Sequence, residues 1–289
     1  MRALGLLVTL AIAAACSGSS RPAPSGSTSG GPALVEIAQA PDQPVSKLAK
    51  TTKPVAGDLA AIVERGYLRI LVAPSRAHFD TVDGQHRGRA VDAGVALARK
   101  LSERAARDIT PVFIETREEQ LVPSLLAGAG DVAANVLLTI SRDEQVAFAP
   151  PIRTGIREVV VTDRKPLVSL EDVGGRTIHV RKNSDHHASL IRLNEQLQKN
   201  NRLAAVIAFD ERARTDEDLL DSVNAGRIRA AVVDDYIFER WRGELPKLAD
   251  TNPDVAVSQD GVLAWATRKD APDLTALLKD FFSTHKLTF

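Results

Sequence analysis

The chain holds a single thiol, Cys16, so it can form neither an internal disulfide nor a thiolate metal site. Standing directly after Ala13, Ala14 and Ala15, that thiol is placed for covalent modification. Other reactive patterns fail on residue type or spacing. A GxSxG nucleophile elbow is missing, and GSTSG at 26–30 puts Thr28 where the serine is needed. His186 and His187 are adjacent, so a helix would turn them about 100° apart, and they are expected at the surface or as caps. Asp and Glu are plentiful, but most are expected on solvated helix faces. Neither a metal nor a cofactor is expected. What remains is recognition by fixed charge.

Composition narrows the partners. The 289 residues are 44% hydrophobic and 26% charged, with Lys+Arg and Asp+Glu both at 37. A neutral balance lacks the electrostatic footprint of a nucleic-acid binder, and 4% aromatics offer little stacking surface for bases.

Residues 1–15, MRALGLLVTLAIAAA, combine a positive Arg2 with an apolar stretch from Leu4 to Ile12 that is too short to span a bilayer. They read as a signal peptide. Cys16 then resembles the lipobox cysteine of bacterial lipoproteins, whose thiol is joined to diacylglycerol, with Ala13 where leucine is usual. That resemblance implies a membrane held through a lipid anchor, facing the periplasm or extracytoplasmic space. Ser17 favours the outer membrane by the Gram-negative sorting rule. Residues 16–57 are rich in Ser, Gly and Pro and are expected as a disordered linker. As a coil it would reach on the order of 35–40 Å.

From residue 58 onward, apolar strands alternate with helical spacing. Strands are expected at 68–73, 109–115, 131–138, 158–163, 176–181, 228–233, 256–258 and 262–268, with another in AAVIAF. Helices are expected at 91–105, 117–128, near 185–200, at 215–225, from Asp235 and at 272–284. Strands separated by helices imply α/β lobes with parallel sheets, and a cleft at the carboxyl ends of the strands is the default site.

An ordered set of segments carries a more specific likeness. It comprises GYLRILVA (66–73), GRAVDAGVALARKL (88–101), LVPSLLAGAGDVAAN (121–135), LTISRDEQVAFAPP (138–151), GGRTIHVRKNSDH (174–186), LLDSVNAGRIRAAVVDD (219–235) and VLAWATRKDAPDLTALLKDFF (262–282). In this order they resemble the family 3 extracellular solute-binding proteins, most nearly the amino-terminal sensor domain of membrane-bound lytic transglycosylase F. The resemblance implies a type II periplasmic-binding-protein-like fold with two crossing strands as a hinge. Lobe 1 would comprise about 58–155 and 262–289, and lobe 2 about 156–261.

It also implies a site. Arg142 matches the family arginine that clamps a ligand carboxylate, a task suited to a planar guanidinium that keeps its charge. Its competing use is an ion pair with Asp143 or Glu144. Thr139 would add a hydroxyl, and Asn135 lies just before. Asp235 matches the aspartate that accepts from a ligand ammonium, with Asp234 as competitor and a helix cap as the plainer use. Arg181 and Ser184 occupy the loop whose amides would meet the ligand at a helix start. Asp185 there replaces a commonly small residue and would repel a second carboxylate. Phe79 is the main aromatic of the first loop, beside Arg76 and His78.

The resulting expectation is a non-catalytic, monomeric lipoprotein that binds an amino acid or muropeptide-like ligand. It would serve an ABC permease or act as a sensor beside a cell-wall enzyme. The Glu-Ser motif of a transglycosylase is missing from the sequence. A dehydratase on the same fold, or a lobe pair that binds nothing, are the remaining readings.

Overall fold

A computed structural model describes residues 54–163, 165–249, 251–252 and 255–285. The expected signal peptide, Cys16, Ser17 and the linker up to residue 53 lie outside the described residues. The end of the expected linker is held by the body: Val55 N–H donates to the Gly128 carbonyl, and the Gly57 carbonyl accepts from Arg268.

The first half starts with α1 (Leu59–Arg65), β1 (Tyr67–Val72) and a hairpin of β2 (Asp80–Val82) and β3 (Gln85–Arg87). Next come α2 (Arg89–Ala105), β4 (Thr110–Glu115), a 3-10 turn leading into α3 (Leu121–Leu126), β5 (Val132–Leu137), α4 (Ile140–Gln145) and β6 (Val146–Phe148). β7 (Arg153–Thr162) leads to β8 (Thr177–Val180), α5 (Asp185–Lys199), β9 (Val206–Phe209), α6 (Asp216–Asn224), β10 (Ala230–Asp234) and α7 (Asp235–Trp241). The described chain closes with β11 (Ala256–Arg268) and α8 (Pro272–Thr284).

The strands form one curled sheet in the order β4-β1-β5-β11-β7-β10-β8-β9, with β6 also pairing β11. β1 runs parallel to β4 and β5, while β8 runs parallel to β9 and β10. β7 and β11 are antiparallel and belong to both halves. Near one end Leu263 faces Arg153; near the other Ala256 faces Val159, with register shifts between. The sequence suggested two strands at 256–258 and 262–268. Here they are one, bent where Asp260 takes φ 60° and Gly261 lies against Ile156.

Side chains alternate faces along these strands, and each half is therefore buried on both sides. On β1, Ile70 and Val72 enter one cluster and Leu71 another. On β10, Ala231 and Val233 pack beneath α6 and α7, whereas Ala230 and Val232 pack beneath α5. Four apolar clusters, two to each half, give a two-lobed α/β fold with β7 and β11 passing between the lobes.

Asp58 ties the chain's start to its end. Its carboxylate caps α1 through Leu59 N–H and also accepts from Leu274 N–H at the start of α8. Deeper in the first lobe, Arg69 and Asp131 have side chains only 2% and 0% exposed and pair at 2.8 Å. Arg69 also donates to the carbonyls of Gly128 and Val55, and Arg65 pairs with the same aspartate. Asp131→Ala would strand a buried guanidinium. Urea unfolding is expected to show a loss of about 3–5 kcal/mol, with part regained in Arg69→Met/Asp131→Leu. An unchanged midpoint for the single variant would contradict this account.

Candidate ligand-binding cleft

Between the lobes lies a cavity of about 680 Å3, lined from both halves by residues beyond the carboxyl ends of β1, β4, β8, β9 and β10. An adjoining cavity of about 310 Å3 shares Glu118 and Glu119 with it and contains Thr139, Arg142 and Asp185.

The floor of the larger cavity is a set of linked charges. Arg181, just after β8, donates to Asp216 at 3.0 Å within its own lobe and to Glu118 of the other lobe at 2.7 Å. His186, in the first turn of α5, places Nε2 3.0 Å from Asp234 and Nδ1 3.6 Å from Asp216. Burial alone would lower the His186 imidazole, but Asp216, Asp234 and Glu158 outweigh it and push it up to about 10. Burial likewise works against ionisation of Asp216, yet His186 and Arg181 hold it below the usual carboxylate range. Asp234 is raised by burial to about 6, with its bond to His186 opposing. His186 is thus a buried cation, not a surface or capping residue, and the alternation of residue types around it gives no sign of this.

The lobes are also joined at the rim. Ser75 Oγ and Ala77 N–H, both after β1, donate to the Glu217 carboxylate at the start of α6. Burial raises Glu217 above the usual range. His78 Nε2 lies 3.0 Å from the Tyr236 hydroxyl, and Arg76 pairs with Asp221.

The residues expected at the site are divided. Arg181 lines the larger cavity. Arg142 lines the smaller one, where its Nη1 donates to Asp185 and to the Leu137 carbonyl, both at 2.9 Å. Thr139 lines the same cavity and caps α4, accepting from Arg142 N–H. Ser184 is buried as the cap of α5, accepting from His187 N–H and donating to the Arg181 carbonyl. Phe79 is 2% exposed and packs against His86 and Phe113, so it belongs to the core rather than to the cavity wall. Asp235 pairs with Arg157 and accepts from Tyr236 N–H, and it is Asp234 that lines the cavity. Successive residues at a strand end face opposite ways, so an Asp-Asp pair puts only one of them there. Asn135, inside β5, takes φ 54° and accepts from Trp265 Nε1 at the cavity wall. The residues missed in the sequence are Glu118, Asp216 and Glu217, which carry no local motif.

These shifts fix the pH response. The folded His186 holds its proton up to about pH 10 against an ordinary 6.5, so its contribution is complete below about 6.5 and is lost as pH rises through 10. His78 is pushed down to about 4 by burial and by Arg89, Arg153 and Arg240, so its contribution is lost as pH falls from about 6.5 to 4. Urea unfolding is expected to give greatest stability near neutrality. His186→Gln should cost on the order of a few kcal/mol at pH 7 and flatten the alkaline limb. An alkaline limb of unchanged slope in that variant would remove His186 as its source.

Several solved structures share the fold. The arginine-bound form of truncated ArgBP from T. maritima has a TM-score of 0.61 at 21% identity, over 78% of this chain and 98% of that one. AbpA from Streptococcus pneumoniae, an amino acid ABC transporter substrate-binding protein bound to L-arginine, gives 0.58 at 18%, over 78% and 90%. The ancestral amino acid-binding protein AncCDT-1, a precursor of cyclohexadienyl dehydratase, gives 0.59 at 21%, over 78% and 91%. No curated protein matches the sequence. The model of the bacterial extracellular solute-binding proteins, family 3, matches residues 68–287, and the chain belongs to that family.

Proposed function

We propose that this is a non-catalytic solute-binding lipoprotein, tethered through Cys16, whose lobes close over a small cationic solute of amino-acid size. The observation that carries the reading is the charge of the cavity between the lobes. Among its lining residues, carboxylates outnumber Arg and Lys side chains eight to four. The excess remains when the His186 cation is added. In a partly enclosed site such a field favours a positive ligand and opposes a negative one.

The volume of about 680 Å3 suits an amino acid or a short peptide. Two structural neighbours, truncated ArgBP from T. maritima and AbpA from Streptococcus pneumoniae, are bound to arginine, in keeping with a cationic solute. The bonds from Ser75 to Glu217 and from Arg181 to Glu118 join the lobes, so the closed form is the one that a ligand would select. Delivery of the solute to an ABC permease is the use we assign. Binding of wall-derived peptides, the sensor alternative, fits less well because muropeptides bring several carboxylates into an acidic cavity.

A thermal-shift panel on the full-length chain separates these uses. Ligand at about 100 times its Kd stabilises by about 2.7 kcal/mol, a rise of several degrees for a domain of this size. Cationic amino acids and amines are expected to produce the rise, and glutamate and muropeptides to leave the melting temperature unchanged. A rise confined to anionic compounds, or none with any compound, sinks the reading.

A further inference from the structure

We infer that the turn from Ser75 to Phe79 is a latch. It seats in the second lobe through protein contacts alone, so the lobes meet before a solute arrives and the closed form is populated in the solute-free protein. Such a latch works whatever the solute, and does not depend on the cleft being a site for cations.

The turn is tied firmly to the first lobe. Ser75 N–H donates to the Phe79 carbonyl and Phe79 N–H to the Ser75 carbonyl, both at 2.8 Å. Phe79 itself is held in that lobe's core against His86 and Phe113. Behind the turn, Ala90 N–H at the start of α2 donates to the His78 carbonyl at 2.9 Å. Gly88 permits that close approach, because a Cβ there would lie 2.4 Å from the same oxygen. The turn is therefore a stiff projection, with little ordering entropy left to lose when it makes contact.

Its tip enters the second lobe. Ala77 is 7% exposed and belongs to the apolar cluster built from β7, β10, α6 and α7, where it is the one member from the first lobe among the described residues. Polar contacts surround it. Ser75 Oγ at 2.9 Å and Ala77 N–H at 3.3 Å donate to the Glu217 carboxylate, which is buried. The Arg76 guanidinium lies 4.6 Å from the centre of the Trp241 ring and pairs with Asp221 at 3.3 Å. His78 Nε2 meets the Tyr236 hydroxyl at 3.0 Å. Separating the lobes would leave a hole in the second lobe's cluster and take both donors from Glu217. The solute-free equilibrium is thereby weighted toward closure, and a solute needs less of its binding free energy to hold the lobes together. Ser75, His78, Glu217 and Tyr236 also line the cavity, so the tip must lift before a solute enters.

Hydrogen exchange on the solute-free, full-length chain tests the latch. In the wild type the Ala77 amide is expected to exchange at least about tenfold more slowly than in an unstructured peptide. In Glu217→Ala it should come within about threefold of the peptide rate. Acrylamide quenching reads the seat from the other side. Trp265 is fully buried, so Trp241 supplies the quenchable emission. Ala77→Glu drives a carboxylate toward Glu217 and should at least about double that quenching. Each variant lies on the lobe opposite its readout, so a local disturbance does not imitate separation of the lobes. Slow wild-type exchange supports the latch even if neither variant folds. An Ala77 amide that exchanges at the peptide rate in the wild type, or stays protected in Glu217→Ala, overturns it, as does unchanged quenching in Ala77→Glu.

Discussion

Arg181 is a buried cation that draws one carboxylate from each lobe, and the arrangement of the cleft follows from that. Its side chain is 11% exposed, with Asp216 beside it and Glu118 reaching across. A guanidinium so enclosed needs its partners, because the cost of drying a charge is met only by close opposite charge. With Arg181 in place Asp216 stays ionised, and with Asp216 ionised His186 keeps its proton. The proton in turn supplies Asp234. Separating the lobes removes Glu118 from this chain of charges and leaves Arg181 with Asp216 alone. Closure is thereby tied to the electrostatics of the floor.

Such a network selects a geometry more than it adds stability. Buried ion pairs exchanged for apolar residues of similar volume often cost nothing, whereas removal of a single partner is expensive. The apolar clusters on the two faces of each half-sheet carry the fold, and the charges set how the halves meet. That division fits a likeness to solved structures that holds at about one-fifth identity. Apolar alternation tolerates wide substitution so long as volume and pattern are kept.

The same division explains what was legible in the sequence. Strands such as β1 and β10 are short apolar runs bounded by turn residues, and their types and positions follow from local pattern. Arg181 at the cleft follows too, since it stands at a strand end. His186 reads as a surface residue because its partners lie 30 and 48 positions away, at Asp216 and Asp234. Phe79 reads as a ligand aromatic, yet Phe113 and His86, which enclose it, come from elements whose packing no local pattern reveals. Arg142 lies on the short helix α4, and its partner is not the neighbouring Asp143 or Glu144 but Asp185 from the other lobe. Local sequence reveals elements; charge partners across a cleft need the fold.

One consequence lies in the order in which the chain is made. β11 (256–268) follows every other described strand in the chain, yet it is an interior strand of the sheet, bonded to β5, β6 and β7. Until the ribosome has added it, the first lobe lacks the strand that joins β5 to β6, and Trp265, the largest fully buried side chain among the described residues, is not yet available to its core. The two halves of the sheet therefore reach their full native pairing only once β11 is present, because its bonds to β5, β6 and β7 close both at the same time.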